Sequence, residues 1–352
     1  MKKIQILLLK NEMPHDHDGW VLSFRKFDQI EFKIIEIFAD NWIELIQKED
    51  FDVLVLRPPG RSSFFKQMYD DRVQLLTELY PGKLYPNIDL IKIYENKRYF
   101  RDWMLIRNIP HPKTWVFFSK EDAFQFLNTN KNYPLVSKLN IGASGKGVFF
   151  LRNKVQAFSE ISKLFGEGKR ILGAPNLKKG SLLKKIKKIL KNPSFVKARL
   201  YEYKQQSEEI HKNYCIFQEF IEHSFEWRCV VIGDSYFAHK KLVIDGKSSG
   251  TLLKDYGNPP FEILDFVRAL SMKHGIDSAA IDIFEHNGAY LVNEIQSFFG
   301  QSDRHQMYVD NVPGRYYFEN GKCFFEEGSF NDNQCYDLRV KHLLKKFDCK
   351  KK

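Results

Sequence analysis

Lys138 closes an apolar run, Pro134-Leu135-Val136-Ser137-Lys138, and the chain then passes through Gly142-Ala143-Ser144-Gly145-Lys146-Gly147 into a second one, Val148-Phe149-Phe150-Leu151. Glycines at 142, 145 and 147 allow positive φ and a close backbone approach to an anion, while free N–H groups and Lys146 supply positive potential. That chemistry suits a polyphosphate. The loop lacks the G-K-[ST] ending of a P-loop, because Gly147 is followed by Val148. It also lacks the Rossmann pattern, which opens a helix, whereas the residues after Gly147 have strand character. The spacing therefore predicts a flap between two strands with Lys138 on the first; a glycine-rich hairpin turn with no ligand satisfies the same pattern.

A second constellation is Asp282 and Glu294, carboxylates set within the apolar runs Ala279-Ala280-Ile281-Asp282-Ile283 and Leu291-Val292-Asn293-Glu294-Ile295-Gln296. Unpaired charges do not stay in such places. Glu294 and Gln296 share a face through the two-residue strand period. A three-residue turn, Asn287-Gly288-Ala289, sets Asp282 opposite Glu294, so that three oxygen side chains converge. Such a set suits Mg²⁺, which takes few protein ligands and completes its shell with phosphate and water. A two-residue turn instead puts the carboxylates on opposite faces and leaves an outward polar stripe on an amphipathic hairpin. The third cluster is Gln218-Glu219-Phe220-Ile221-Glu222 followed by Glu226-Trp227-Arg228. A strand ending this way offers backbone groups to a purine edge and apolar walls to its ring, with Glu222 or Glu226 accepting from a ribose hydroxyl.

These residues need elements to hold them. In the first ninety residues, apolar β-type runs (Ile4 to Leu9, Glu31 to Ile37, Val53 to Leu56) and a helical spacing through Trp42-Ile43-Glu44-Leu45-Ile46 predict a small βαβ domain with a parallel sheet. Its strand ends carry His15-Asp16-His17-Asp18-Gly19 and Arg57-Pro58-Pro59-Gly60-Arg61, where open parallel sheets bind ligands. An ordinary solvated loop fits the His-Asp segment equally well. Further on, the pattern predicts a helix opening at Asn96-Lys97, strands at Thr114 to Phe118 and Tyr133 to Lys138 around a helix from Glu121 to Leu127, and a helix over 154 to 165. Strands Tyr214 to Ile221, Cys229 to Ile232 and Tyr236 to Lys241 come next, then a helix from Glu262 to His274. The strand pair Ala279 to Phe284 and Tyr290 to Ile295, a hairpin around Asn320-Gly321 and a helix from Tyr336 to Phe347 complete the chain.

Composition bounds the rest. A chain of 352 residues, 43% hydrophobic and 15% aromatic, exceeds one typical core and predicts two or three soluble domains. No apolar run is long enough to span a bilayer, and Ile4 to Leu9, interrupted by Gln5 and followed by Lys10-Asn11-Glu12, reads as a first strand rather than a signal peptide. Cys215, Cys229, Cys323, Cys335 and Cys349 form no C-x-x-C pair and predict free thiols in a reducing cytosol, without zinc. Much of the net charge of +11 sits in Lys178, Lys179, Lys184, Lys185, Lys187, Lys188, Lys191, Lys197 and Arg199, with no acidic residue among them. Elsewhere the charges nearly balance, which argues against nucleic acid as a partner. Ser181 to Leu190 patterns as an amphipathic basic helix. It either packs its apolar stripe with the lysines solvated, or docks on anionic lipid or an acidic substrate.

Taken in order, Asn96-Lys97, the strand ending in Lys138 with its glycine loop, Gln218-Glu219-Phe220-Ile221, Arg228, Lys240-Lys241, Asp282 and Asn293-Glu294-Ile295-Gln296 resemble the ATP-grasp superfamily over residues 90 to 303. The nearest likeness is to its RimK-like and glutathione-synthetase-like branch of carboxylate-amine ligases. The resemblance implies an α/β fold of the α+β ATP-grasp kind. A pre-ATP-grasp domain would span 1–90, and an ATP-grasp domain of two antiparallel-sheet subdomains around a nucleotide cleft 91–303. The lid subdomain would cover 114–215, with a basic insertion at 171–212, and a hairpin-and-helix extension 304–352. It further implies that Lys97 and Lys138 hold ATP phosphates under Gly142, Ser144, Gly145, Lys146 and Gly147. Glu219, Phe220 and Ile221 would read adenine, with Glu226 also binding the nucleotide. Arg228 and Lys240, beside Lys241, would face the transferred phosphoryl, and Asp282, Glu294 and Gln296 would hold Mg²⁺ or Mn²⁺. One departure is Gln296, where the family usually has asparagine. The implied function is a cytoplasmic ligase joining a carboxylate to an amine through an acyl phosphate, with small-molecule, peptide or cell-surface glycan substrates and peripheral contact with an anionic membrane through residues 178–199. The rival readings are a phosphotransferase of the same fold and a non-catalytic nucleotide-binding scaffold.

Overall fold

Val, Ile and Leu runs in the first ninety residues form a parallel sheet of β1 (Ile4–Lys10), β2 (Ile30–Glu36), β3 (Val53–Leu56) and β4 (Leu84–Tyr85), in the order β2-β1-β3-β4. The structure is a computed structural model that describes residues 3–142, 147–170, 200–201, 204–205, 207–244, 247–248, 253–300 and 303–348. β3 is buried at every position, as expected of an inner parallel strand covered on both faces. The helices here are α1 (Asp18–Phe24), α2 (Trp42–Gln47) and α3 (Ser63–Leu79). α3 was not expected from the sequence; Lys66, Tyr69, Val73 and Leu76 fall at helical spacing on its buried side.

After α4 (Ile88–Ile93), the side chain of Asn96 caps α5 (Lys97–Ile106) by accepting from the Tyr99 N–H. A small antiparallel sheet follows, built from β5 (Thr114–Phe117), β6 (Leu135–Lys138), β7 (Val148–Leu151) and β10 (Cys215–Glu219), in the order β5-β10-β6-β7. α6 (Lys120–Thr129) and α7 (Lys154–Phe165) pack together on it, with the Phe124 and Phe158 rings stacked at 4.4 Å. β8 (Lys169–Arg170) and β9 (Ile210–His211) pair on either side of residues 171–199. The basic run 178–199 and the amphipathic helix expected over 181–190 lie outside the described residues, as do Ser144, Gly145, Lys146 and Cys349.

The large antiparallel sheet runs β16-β15-β11-β12-β18-β17 among the described residues. It contains β11 (Phe225–Ile232), β12 (Ser235–Ile244), β15 (Ser278–His286), β16 (Ala289–Gln296), β17 (Tyr308–Val309) and β18 (Val312–Glu319). β13 (Lys247–Ser248) and β14 (Lys254–Asp255) pair with β12, and β19 (Lys322–Glu327) with β18. One face, carrying Trp227, Cys229, Val231, Ala238, Ile281, Ile283 and Val292, packs on α5 and α8 (Phe261–His274). The other is apolar at one end (Val230, Ile232, Phe237, Ala280) and charged at the other. No helix among the described residues is long and apolar enough to cross a membrane.

The last helix, α9 (Tyr336–Asp348), returns to the start of the chain. Its Val340, Leu343, Leu344 and Phe347 join the core of the first domain, so a sequence boundary at 304 does not divide the packing. Leu343 is wholly buried there. Leu343→Ala is expected to destabilise the first domain by about 2–5 kcal/mol, read from a shifted denaturant midpoint.

Candidate active site

The β15–β16 hairpin decides whether a site exists. His286 pairs with Ala289, so the turn has two residues, Asn287 and Gly288, with φ of 51° and 74°. By itself that turn would put Asp282 and Glu294 on opposite faces. The register shifts by one residue between Asp282 and Ile283, however, and beyond the shift Asp282 pairs with Glu294. Asn293 is the extra residue of a β-bulge, and the bulge restores the convergence that a three-residue turn was expected to provide.

Arg228 on β11 lies opposite Asp282 and ties the carboxylates together. Its Nε is 2.7 Å from Asp282 Oδ1, its Nη2 donates to Oδ2 at 3.1 Å, and its Nη1 donates to Gln296 Oε1 at 3.2 Å. Lys241 Nζ, nearly enclosed, donates to Asp282 Oδ2 at 2.8 Å and to Glu226 Oε2 at 2.9 Å. Burial acts against the Asp282 carboxylate, yet Arg228 and Lys241 hold its pKa below the ordinary value. Burial likewise acts against the Lys241 ammonium, but Asp282 and Glu226 raise its pKa.

Lys138 reaches this cluster from the other sheet. Its Nζ donates to Asn293 Oδ1 at 2.9 Å, and Asn293 Nδ2 donates to Glu226 Oε1 at 3.3 Å. Desolvation pushes the Lys138 pKa down to about 8 despite the opposing pull of Glu294, and Lys97 lowers it further. Lys97, at the start of α5, lies 3.4 Å from the Gly142 carbonyl oxygen and 3.9 Å from the Glu95 carboxylate, which accepts the Gly142 N–H at 3.1 Å. Asn140 binds the same helix start, taking the Lys97 N–H on its carbonyl and the Arg98 N–H on Oδ1. The mouth of the glycine loop is thus fastened to α5, which brings the two lysines together. Gly147 closes the loop where a Cβ would stand 3.1 Å from that of Leu139.

Asn293 was quoted in the sequence only as part of a motif. Alternation counted back from Gln296 and Glu294 assigns it to the core face, and the bulge brings it into the site.

No protein-family model matches the chain, and no curated protein matches it by sequence. Solved structures do match it. An N5-carboxyaminoimidazole synthetase from Staphylococcus aureus complexed with ADP superposes with a TM-score of 0.56 at 11% identity, over 99% of this chain and 78% of that one. A D-alanine–D-alanine ligase from Bacillus anthracis gives 0.51 at 12% identity, over 99% of both chains. An N5-carboxyaminoimidazole ribonucleotide synthetase in its ADP complex gives 0.52 at 12%, over 86% of this chain and 72% of that one. The chain has the ATP-grasp fold.

Within that ATP-grasp fold, Lys97, Lys138, Gly142, Glu226, Arg228, Lys241, Asp282, Glu294 and Gln296 gather where the small sheet meets the charged end of the large one. Lys240 does not join them. Trp227 pairs with Lys240 and Glu226 with Lys241, so Lys240 points to the opposite face, where its Nζ lies 4.6 Å from the Phe225 ring centroid and 5.3 Å from that of Trp227. Lys240, expected beside the carboxylates, thus lies on the other face of the sheet, and Lys241 is the one of the pair that meets Asp282 and Glu226. Lys241→Ala should cut turnover at least tenfold more than Lys240→Ala, as checked by steady-state kinetics of the two variants.

Glu219 is tied to Lys113. Its N–H donates to the Lys113 carbonyl at 2.9 Å and its carboxylate accepts the Lys113 N–H at 2.6 Å, so the residue straps the end of β10 in place. The Ile221 carbonyl accepts from His223 Nδ1 at 2.6 Å. In the first domain, Arg57 is bound to Asp16 at 3.0 Å and lies over the Phe298 ring, two residues past Gln296. His15 bonds Asp18 in an exposed loop.

Two carboxylates and an amide fit Mg²⁺, which needs few protein oxygens. Arg228 and Lys241 hold oxygens of that set, and a divalent cation would share them. Asp282, Glu294 and Gln296 would hold the metal, which would neutralise phosphoryl charge.

Proposed function

We propose that the protein is an ATP- and Mg²⁺-dependent ligase that joins a carboxylate to an amine through an acyl phosphate. The observation that carries this reading is the meeting of Lys138 from one sheet with the bulged Asn293-Glu294 segment of the other, beside Arg228 and Asp282. Phosphoryl transfer to a carboxylate spreads negative charge over the transferred group, and fixed cations in a water-poor cleft stabilise it without reorganisation. Lys97 and Lys138 would clamp the phosphates, Arg228 would face the transferred phosphoryl, and Lys241 would keep Asp282 ionised. No covalent nucleophile is required. Two of the structural neighbours are by name a ligase and a synthetase, in accord with this chemistry.

The test is ATP turnover with hydroxylamine over panels of amino acids, peptides and uronic acids, with mass analysis of the products. An acyl phosphate yields a hydroxamate. ADP formed with a phosphorylated acceptor and no hydroxamate would replace the ligase by a phosphotransferase. The narrower expectations of a glycan or peptide substrate, and of membrane docking by residues 178–199, rest on the sequence alone. Liposome co-sedimentation decides the second, which requires salt-sensitive binding to anionic vesicles.

A further inference from the structure

His239 stands on β12 directly opposite Arg228, on the sheet face that carries Lys241 and Asp282. It is 3% exposed. Its Nδ1 lies 3.1 Å from the Gln306 carbonyl oxygen. A carbonyl can only accept, so Nδ1 carries the proton and Nε2 presents a bare lone pair. Nε2 has no hydrogen-bond partner among the described residues. The ring is held further by Tyr256, at 5.4 Å between centroids, and Tyr256 Oη is in turn anchored to Asp303 at 2.7 Å. Burial pushes the imidazole pKa down to about 3, helped by Arg228 and Lys254 and opposed by Asp282. The balance of these influences is a neutral ring in one tautomer.

A buried acceptor among cations is selective. Arg228 and Lys254 disfavour a positive charge on the ring, and the lone pair of the neutral ring takes an N–H from an uncharged amine. We infer that His239 is the acceptor subsite's proton acceptor, holding the attacking amine beside the phosphoryl group that Arg228 faces. This role rests on the ligase reading above. The amine nitrogen attacks the acyl carbon with its own lone pair, and a C–N bond forms. The tetrahedral adduct collapses as the C–O bond to phosphate breaks, and phosphate leaves with that electron pair. The surplus proton on nitrogen passes to His239 Nε2. Positive charge on that nitrogen makes the proton strongly acidic, and the bound phosphate's negative charge offsets the cations around the imidazolium, so a ring that is neutral beforehand can accept it.

Two measurements test this. In the full chain labelled with ¹⁵N-histidine, with His239 assigned by its loss in His239→Asn, the ring should be neutral and protonated on Nδ1 from about pH 6 to 8. An Nε2–H tautomer, or an imidazolium in that range, overturns the inference. His239→Asn also preserves an N–H for the Gln306 carbonyl while deleting the basic ring nitrogen. With a carboxylate found by the hydroxamate panel, its ratio of hydroxamate to amide product should exceed that of the wild type by roughly 10²-fold, because the adduct of hydroxylamine, a weak base, gives its surplus proton to water far more readily than the adduct of an ordinary amine. An unchanged ratio, with hydroxamate still formed, overturns the role of His239 alone. If the wild type yields no hydroxamate with any carboxylate, the ligase reading falls and this role with it.

Discussion

Lys138→Ala should lower ATP-dependent turnover by about 10²-fold or more, the usual cost of losing one preorganised electrostatic donor. The fold should survive, because burial already disfavours this ammonium and its removal leaves only the Asn293 amide oxygen without its donor. The same lysine predicts a pH effect. Its pKa in the free protein is about 8, against an ordinary 10.5, so it is cationic below pH 8 and progressively neutral above. A bound polyphosphate favours the cation and raises the pKa again. Nucleotide binding above pH 8 should therefore take up close to one proton, and affinity should weaken by up to roughly tenfold per pH unit. Calorimetry of Mg·ADP binding in buffers of different ionisation enthalpy reads both. Lys138→Arg, whose guanidinium does not titrate in this range, should bind with a flat pH profile. Wild-type turnover in folded Lys138→Ala, or pH-independent affinity in the wild type, would remove Lys138 from the phosphate site.

The two carboxylates should part company on mutation. Asp282 is 2% exposed and holds both Arg228 and Lys241, so Asp282→Asn leaves buried cations short of their partner. Breaking a buried pair from one side costs about 3–5 kcal/mol, and the variant should melt well below the wild type. The sign in pH follows from a depressed carboxylate pKa: the stabilisation is present above the unfolded value and is lost as pH falls through the folded one. Asp282→Asn should lack that acid-side loss. Among the described residues Glu294→Gln breaks no such ion pair, and the Lys138 ammonium near it is already weakened by burial. Its stability should change by less than about 1 kcal/mol while the Mg²⁺ requirement rises, as seen by metal titration of turnover beside a denaturant melt. Unchanged Mg²⁺ curves in both variants would assign the carboxylates to structure alone.

Much of this molecule was legible in the chain because strand and helix periods are local. The helix over 154–165 appears with those bounds, capped by Asn153, and the Asn320-Gly321 turn joins β18 to β19. The parallel first sheet also follows from runs of apolar residues, whereas the two antiparallel sheets were implied by the ATP-grasp resemblance. What the chain could not decide was register. Lys240 and Lys241 are chemically alike in the sequence, and only the pairing of β12 with β11 sends one to the carboxylates and the other to the Trp227 face. Likewise the turn after His286 pointed away from a metal site until a bulge at Asn293 shifted the ladder by one residue. With a side-chain period of two, a one-residue slip exchanges faces, so such choices depend on packing across strands distant in the chain. The placement of α9 is of the same kind: its amphipathic pattern announces a helix, but only the apolar surface left open by the first domain, some 300 residues earlier in the chain, determines where that helix is buried.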